Sequence, residues 1–472
     1  MKSNTQSMPV VRDDLPQLRF PSPPPGQRDR VRGWVCCRKL QPISPPPPPH
    51  PSPLPRWGRG RRQVHRHGLL AVLLLAFSCA TATAASLTNL TLTAALELAE
   101  QHHPQLAEAR ALVEAAGGRA QQAGTRPNPE AVLRAEQIPF KDTPARDRQF
   151  VVGLAQTVPL GSKVAKARQA ELLEQDARTR QLEVVRRDVR KRVHTAFATA
   201  LYQEQAALIQ SRIADDFTRT IALIKTRLEV GDAVPEELAR AEMELARAMV
   251  EVRRSRSLRE QAGTALVAAV GAPELRIQSL TGNLEATFAV PTLESLNAKL
   301  AEHPELLEAQ AAEKVNAARL DLAMAERIPD VTAEVLYRRL EATRQNTVDF
   351  GLRIPLPFFN TGQGRVREAR AETAAAEARS RFKQSELQAR LHTAHAELTT
   401  ALANRRTLQE DILPRATTVL KAVEVRHAAG DLGLSDLLSA RRDWAAVQLT
   451  HLETLRDVMR AWAEMPGQVF GR

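Results

Sequence analysis

The chain has 472 residues, with 66 lysines and arginines against 54 aspartates and glutamates, and a net charge of +12. Residues 1–85 hold 13 of the basic and only 3 of the acidic residues, so the rest of the chain is close to neutral and a nucleic-acid binder is disfavoured. All three cysteines also precede residue 85, which excludes a disulfide framework or a thiolate metal site beyond it.

Residues 1–67 contain 15 of the 30 prolines among many arginines and serines. Such a composition cannot bury a core, and it predicts a disordered or extended leader. The next segment, residues 68–85, has an apolar run after a basic flank and then small residues, which is typical of a secretory signal peptide. Because a signal peptide normally begins near the initiating methionine, we expect translation to start near Val64; a true extended leader is the alternative.

The site of signal-peptide cleavage has two candidates. Small residues at Ala82 and Ala84 favour cleavage after Ala84 or Ala85. Cys79 could instead carry a lipid anchor, but bulky Phe77 lies close before it and the usual preceding leucine is missing. We therefore expect a mature chain without a lipid, beginning near Ala85 or Ser86.

The rest of the chain repeats itself. Four landmarks recur in the same order at separations of 198 to 200 residues: Pro104 and Pro304, Pro129 and Pro329, Gly153 and Gly351, Gly231 and Gly430. This spacing indicates a tandem duplication. Repeat one covers residues 90–272, a linker covers 273–290, and repeat two covers 291–466.

Each repeat is predicted to hold a helix, two strands, a very long helix and a returning helix. Alanine, leucine, glutamate and arginine dominate the helical segments, which favours helix. The predicted helices are Thr93–Gly124, Ser162–Glu229 and Pro235–Val270 in repeat one, and Leu293–Glu326, Gly364–Ala428 and Ser435–Ala463 in repeat two. A helix of some 65 residues extends roughly 100 Å, far longer than a compact domain of this size needs.

The predicted strands alternate apolar and polar residues. In "VTAEVLYRR" and "TVDFGLRIP" of repeat two, every second residue is apolar, and "EAVLRAEQ" of repeat one alternates in the same way, whereas "FVVGLAQTV" does so only partly. Their length suits tilted strands across a bilayer, and aromatic residues cluster in them or at their ends: Phe140, Phe150, Tyr337, Phe350, Phe358 and Phe359. A soluble four-stranded sheet is the alternative. In a membrane, four strands cannot close a barrel, so several subunits would have to share one.

Proline and glycine mark the reversals of the chain. The strand-to-helix transition occurs twice, as "GLAQTVPLGSKVAKAR" and "GLRIPLPFFNTGQGRVREAR", with prolines where the strand ladder should end, at Pro159, Pro355 and Pro357. We expect Gly161 and Gly362 to let the chain turn from the strands into the long helices, and Gly362 to do so with a positive φ angle. Two Gly-Asp turns, Gly231-Asp232 and Gly430-Asp431, should reverse each long helix into the returning helix.

The sequence offers no constellation for catalysis. We find no nucleophile beside a base, and His392 with His395, which share a helix face, lack a further ligand nearby. The glycines near Gly161 and Asn360 lack the spacing of a phosphate-binding loop. The sequence therefore predicts a protein that is not an enzyme and holds no metal or cofactor.

The phrases "GTRPNPE", "ERIPDVT", "GLRIPLPFFNTGQG" and "AGDLGLSDLLSAR", in this duplicated order, resemble the TolC-like outer-membrane efflux factors over residues 90–466. The branch found with cobalt–zinc–cadmium resistance systems is the most similar. The resemblance implies a mainly α fold with a small membrane β part, in which a homotrimer forms a 12-stranded β-barrel continued by a periplasmic α-helical tunnel.

The resemblance also implies partners and cargo. A periplasmic adaptor and an inner-membrane resistance-nodulation-division (RND) pump would join the channel in a tripartite efflux system in the Gram-negative cell envelope. Divalent heavy metals are the implied cargo, and organic drugs or solvents are the alternative. A periplasmic adaptor or coiled-coil scaffold is disfavoured, because an adaptor would have one helical hairpin and a C-terminal β domain.

The family places its constriction at the turns distant from the membrane. On matching positions, Asp436 is the first of two acids that ring the pore, while Ser439 stands where the second would be. Glu237 and His427 match positions that tie the two turns together in closed channels. In the alternative interpretation, Asp436 only caps its helix and Glu237 is a solvated charge.

Overall fold

The computed structural model describes residues 86–138, 148–285 and 290–466, with side chains from residue 89 onward. All of them belong to one compact unit of the chain, Thr81–Arg472. The predicted leader, the signal peptide with its cleavage sites and Phe140 lie outside the described residues.

The elements follow the predicted order twice. Repeat one contains β1 (Ser86–Thr91), α1 (Leu92–His102), α2 (Pro104–Ala123), β2 (Glu130–Glu136), β3 (Gln149–Val158), α3 (Lys163–Glu229) and α4 (Pro235–Val270). The strand β4 (Arg276–Thr281) follows. Repeat two contains α5 (Leu293–Lys299), α6 (Pro304–Ala325), β5 (Val331–Leu340), β6 (Gln345–Arg353), α7 (Gln363–Thr407), α8 (Leu413–Ala428) and α9 (Leu434–Glu464). The duplicated, mainly helical fold is thereby confirmed.

The first helix of each repeat is broken where we predicted one continuous helix. His103 separates α1 from α2 and adopts an extended backbone, with φ −65° and ψ 122°. In repeat two, a 3₁₀ turn at Leu300–Glu302 precedes His303, whose φ and ψ are −68° and 130°. The cause is the following proline, which disfavours the helical conformation in the residue before it and then starts a new helix.

The long helix of repeat two is also interrupted, whereas α3 of repeat one runs unbroken for 67 residues. A π-helical turn at Leu408–Ile412 separates α7 from α8, just before Pro414. Proline has no N–H to donate to the carbonyl four residues earlier, and a local change of helical pitch accommodates that loss. The prediction of one helix over Gly364–Ala428 missed this break.

Four strands form one antiparallel sheet in the order β2-β3-β5-β6, so each repeat contributes two neighbouring strands. Residues paired across neighbouring strands lie on the same face of the sheet. Val335 on β5, for example, is paired with Leu154 on β3 and with Phe350 on β6. The apolar face is exposed, with 45% to 80% of each large side chain accessible: Leu133, Phe150, Val152, Leu154, Val335, Tyr337, Val348, Phe350 and Leu352. The sheet therefore presents a continuous apolar face that the chain itself leaves uncovered.

A second, two-stranded sheet was not predicted. The strands β1 and β4 pair in parallel, with Leu90 opposite Leu280. Glu204 accepts the N–H of Leu280 at 3.1 Å, and Arg259 donates to the Gln278 carbonyl at 3.4 Å. The strand β4 lies within residues 273–290, which we predicted to be only a linker. Its six residues find their partner in a distant part of the chain, so no local pattern marks it.

The largest buried cluster joins α1, α3 and α4 beside the small sheet, around Phe197, Leu266 and Val270. Two further clusters lie along the long helices, one near the Gly-Asp turns and one between α7 and the end of α9. Within residues 86–138, 148–285 and 290–466, no helix combines the length and the apolar composition needed to cross a membrane.

Candidate functional site

The sheet-to-helix junction of repeat one depends on a left-handed turn. After β3 ends at Val158, Gly161 has a φ of 69° and Ser162 a φ of 58°, and α3 begins at Lys163. A Cβ atom at Gly161 would lie 2.7 Å from Ile328 Cδ1, closer than side chains approach one another. The positive φ therefore favours glycine, and a side chain here would also displace the end of the Ile328 side chain.

An ion pair fixes this junction to repeat two. Lys163 Nζ lies 2.5 Å from Asp330 Oδ1, and the same oxygen accepts the backbone N–H of Leu160 at 3.2 Å. Asp330 directly precedes β5, so the pair joins the start of the long helix in one repeat to the start of a strand in the other.

The junction of repeat two uses a different set of contacts. Gly362 has a φ of 72° and precedes α7, and its N–H donates to Asn360 Oδ1 at 3.0 Å. The residues Pro355 and Pro357 lie beyond the strand ladder, which ends at Arg353, so their missing N–H groups leave no gap in it. Arg327 Nε donates to the Thr361 carbonyl at 3.2 Å.

The two Gly-Asp turns share one backbone design. Gly231 and Gly430 have φ angles of 76° and 83°. The N–H of Asp232 donates to the Arg227 carbonyl at 2.8 Å, and the N–H of Asp431 donates to the Arg426 carbonyl at 2.9 Å. This is the Schellman ending, in which a glycine in the left-handed conformation stops a helix.

Apolar packing brings the two turns to the same end of the long helices. We call this end, with Gly231-Asp232 and Gly430-Asp431, the tip. The buried residues Leu434, Leu437 and Leu438 at the start of α9 share one cluster with residues of α3 and α4, namely Phe217, Ile221, Ile224 and Ala241. The predicted proximity of the two turns is therefore present within a single chain.

Asp436 is exposed in the first turn of α9. Its N–H donates to the Gly433 carbonyl at 3.2 Å, and its carboxylate has no hydrogen bond or ion pair with any described residue. The N-cap of α9 is Gly433, so Asp436 is not the capping residue, although a carboxylate in the first turn still suits the helix dipole. Ser439 lies one turn further along and is half-buried.

The structure does not bring Glu237 and His427 together. His427 Nδ1 donates to the Leu432 carbonyl at 2.9 Å and so holds the turn of repeat two. Glu237 lies half-buried in the first turn of α4, and no ion pair joins it to His427 in the described chain. Asp232, in contrast, is bound by Arg227 at 3.0 Å.

Residues of α9 that we did not predict connect the repeats near the tip. Arg441 donates to Thr220 on α3 at 2.7 Å, and Arg442 lies 3.3 Å from Glu244 on α4. Arginine is common along all of these helices, so no sequence pattern distinguishes the two from solvated surface residues. Only the packing of α9 against repeat one does so.

The described ranges contain no group of three or more histidines, cysteines, aspartates or glutamates placed to hold a metal ion. His392 is exposed and His395 half-buried on α7. His103 and His303 are buried instead, and each accepts a backbone N–H two residues on through Nδ1, at 3.2 and 3.3 Å. The two buried histidines thus cap α2 and α6.

Comparisons with known proteins agree with this geometry. The family model described as "Outer membrane efflux protein" matches residues 95–272 and 296–465. The cobalt-zinc-cadmium resistance protein CzcC of Cupriavidus metallidurans is 26% identical over 383 residues, which covers 81% of this chain and 90% of that protein.

Solved structures show the same fold. A membrane protein from Pseudomonas aeruginosa matches with a TM-score of 0.68 at 18% identity, over 79% of this chain and 89% of that chain. The outer membrane protein VceC from Vibrio cholerae matches with a TM-score of 0.64 at 17% identity, over 79% and 94%.

Proposed function

Since the chain belongs to the outer membrane efflux protein family, we propose that it is the outer-membrane channel of a tripartite RND-type system that exports divalent heavy-metal cations. The family matches both repeats and makes the protein an outer-membrane efflux protein with a periplasmic extension, and not an enzyme. The single observation that supports a membrane channel is the exposed apolar face of the four-stranded sheet.

An exposed apolar face of this size suits lipid rather than water. On the opposite face of the sheet, Arg338 bonds Glu136 and Asp349, each at 2.9 Å, so that side carries charge. An apolar outer face and a polar inner face are what strands of a membrane channel require.

The edges of the sheet support a barrel that is shared by several copies, which we propose to be a homotrimer. Its outermost strands, β2 and β6, run in opposite directions, because each neighbouring pair in the order β2-β3-β5-β6 is antiparallel. The β6 edge of one copy can therefore pair antiparallel with the β2 edge of the next. Four strands fall short of the smallest usual barrel, and open edges are not tolerated in lipid, so several copies have to share one barrel. Three copies with 12 strands are the arrangement that the resemblance to the family implies.

The long helices would then surround a tunnel that reaches into the periplasm. The helix α3 alone has 67 residues and extends about 100 Å. We infer that a periplasmic adaptor and an inner-membrane RND pump engage the tip, since a passive duct has no energy source of its own. The proposed gate is a ring of Asp436 carboxylates from three copies. It is supported by the exposure of Asp436 and by the absence of a hydrogen bond or ion pair between its carboxylate and any residue that the structure describes.

Divalent cations are the proposed cargo for two reasons. The related protein from Cupriavidus metallidurans carries cobalt, zinc and cadmium resistance in its name. A ring of carboxylates also favours cations. Organic drugs or solvents are the alternative cargo. An adaptor or scaffold is disfavoured, because neither needs a sheet with an uncovered apolar face.

The test is a deletion strain exposed separately to cobalt, zinc and cadmium salts and to a panel of organic solvents and dyes. In the deletion strain we expect growth to stop at lower metal concentrations and the cellular metal content to be higher, and the gene should restore both values. The concentrations of the organic compounds that stop growth should not change. Sensitivity to the organic panel alone would contradict the metal assignment. Absence of the protein from the outer-membrane fraction as a heat-modifiable trimer would contradict the channel itself.

A further inference from the structure

A cavity lies where the sheet of repeat one becomes its long helix. It has a volume of about 870 Å³ and is bounded by the loop after α2, the end of β3 and the first turns of α3. Two of its lining residues, Gln156 and Val158, lie on the same side of β3 as Leu154, because side chains along a strand alternate between its two faces. Since Leu154 belongs to the exposed apolar face of the sheet, the cavity adjoins that face.

The charged lining of this cavity is entirely basic. Arg126, Lys163 and Arg168 line it, and no aspartate or glutamate does so among the residues that the structure describes. Lys163 is already paired with Asp330. Arg126 and Arg168 are exposed, and neither has a hydrogen bond or ion pair with any described residue. The cavity therefore presents two unpaired guanidinium groups, whose planar array of donors matches the oxygens of a phosphate.

Contacts of the neighbouring backbone position both arginines. Gln156 Nε2 donates to the Pro127 carbonyl at 3.0 Å and so holds the residue next to Arg126 against β3. A Cβ atom at Gly124 would lie 2.9 Å from Arg168 Cδ, so the aliphatic stem of Arg168 lies directly against the backbone of that glycine. The loop and the stem are thus held in place, while the two guanidinium groups stay free.

Two arginines at the junction of repeat two are used differently. Arg327 Nε donates to the Thr361 carbonyl at 3.2 Å, and Arg365 Nη1 donates to Glu326 Oε2 at 2.7 Å. These contacts hold the repeat-two junction together. Contacts of this kind do not account for the arginines of the repeat-one cavity, since those form none with the described part of the chain.

We propose that the cavity binds the phosphate of an anionic phospholipid in the periplasmic leaflet of the outer membrane, with Arg126 and Arg168 as its ligands. The inference rests on the proposed function, because it needs the apolar face of the sheet to lie in lipid. A lipid whose chains cover that face has its headgroup where the strands end and the long helices begin, which is the level of this cavity. Basic pockets at such a level are suited to anionic headgroups.

The apolar part of the lining favours a lipid over a soluble phosphate. Val158 lies at the end of β3 with 47% of its side chain exposed, and Leu160 just after it is 39% exposed. The first carbons of an acyl chain can cover both side chains while the headgroup contacts the arginines. A soluble anion would leave these side chains in water and gain nothing from them.

The test is the lipid retained by the purified, assembled protein, counted by native mass spectrometry in a nonionic detergent. Phosphatidylglycerol and phosphatidylcholine are added separately at equal concentrations. We expect the parent to retain phosphatidylglycerol preferentially. The variant Arg126→Gln with Arg168→Gln should need at least about tenfold more phosphatidylglycerol for the same occupancy, whereas its retention of phosphatidylcholine should equal that of the parent. Arg365→Gln, which removes an exposed arginine from the junction of repeat two, is the matched control and should bind like the parent.

Arg126→Glu alone keeps the inference testable if the double variant fails to assemble, because this residue is exposed on a loop, and it should also weaken the retention of phosphatidylglycerol. Equal retention by parent and variants would overturn the site. Displacement of the lipid by inorganic phosphate at the same concentration would indicate a site for a soluble anion and would overturn the lipid assignment. Parent protein that fails to float with lipid vesicles would overturn the proposed function instead.

Discussion

Lys163 and Asp330 form an ion pair across the two repeats, with 2.5 Å between Nζ and Oδ1. One residue begins α3 and the other directly precedes β5, so the pair lies where the sheet becomes the helical rod. The Lys163 side chain is only 15% exposed, and water screens the interaction less than at an open surface.

We expect Asp330→Asn to lower the free energy of unfolding by about 1–2 kcal/mol, because a charge-assisted bond becomes a neutral one. The measurement is the temperature at which the purified protein loses its assembled form on electrophoresis. Asp176→Asn is the matched control, since Asp176 pairs with Arg180 at 3.6 Å on the surface of one helix, where ion pairs contribute little. If both variants lowered this temperature equally, the result would contradict a larger stabilising contribution from the pair at the junction.

Gly161 and Gly362 should respond differently to substitution. Both have positive φ, but a Cβ at Gly161 would collide with Ile328, whereas the nearest atom to a Cβ at Gly362 is Arg327 Cγ at 3.4 Å. Alanine at Gly161 should therefore reduce the yield of assembled protein more than alanine at Gly362, and valine at Gly362 should reduce it further. Gly364→Ala is the control, because this glycine lies in α7 with open space around it. Normal yield for Gly362→Val would contradict the requirement for positive φ there.

The stability of α6 should depend on pH through His303. Burial, and next the guanidinium of Arg187, lower the pKa of His303 to about 4; Arg390 and Lys383 act in the same direction, while Glu305 opposes them. The neutral ring accepts the N–H of Glu305 through Nδ1, which a protonated ring cannot do.

Because the folded pKa lies below the ordinary value of 6.5, the contribution of His303 to stability is complete above pH 6.5 and is lost as the pH falls towards 4. We expect a loss of about 2 kcal/mol between pH 7.5 and pH 5 from this residue. His303→Asn retains a capping oxygen that does not titrate, so its unfolding midpoint in urea should change less over that range. The same pH dependence in parent and variant would contradict this role.

The gate should be sensitive to the charge of Asp436. We expect Asp436→Asn to weaken cation selectivity and block by multivalent cations in reconstituted channels, because the pore would lose three carboxylates at once. Asp411→Asn, which alters an exposed carboxylate on the rod, is the control. Unchanged selectivity and block would place the constriction elsewhere.

Glu237 tests the other half of the predicted gate. Glu237→Ala should raise the open probability if Glu237 bonds the repeat-two turn in the closed trimer. His427 already donates to the Leu432 carbonyl in one chain, and its Nε2 remains the atom that could face Glu237. An open probability equal to that of the parent would remove Glu237 from the gate.

Local signals in the sequence carried much of the fold. The glycines Gly161, Gly231, Gly362 and Gly430 predicted reversals of the chain, because a turn with a left-handed backbone needs glycine at one position. The period of two predicted three strands of the large sheet clearly and β3 only partly, and the constant spacing of landmarks predicted the duplication. The breaks at His103 and His303 were missed although their cause, the following proline, was visible; the helical composition around each proline outweighed it in the prediction.

Sequence alone thus determined the helical segments, the strands of the large sheet, their duplication and the residues at each turn, because these follow from backbone preference and side-chain periodicity over a few residues. The tertiary structure alone decided the pairs that hold the elements together. Lys163 and Asp330 are 167 residues apart, Arg442 and Glu244 are 198 apart, and Arg441 and Thr220 are 221 apart. Along helices with many arginines and glutamates, each such residue has the same local pattern as its solvated neighbours. Which of them becomes a buried partner depends on how the helices of one repeat pack against those of the other.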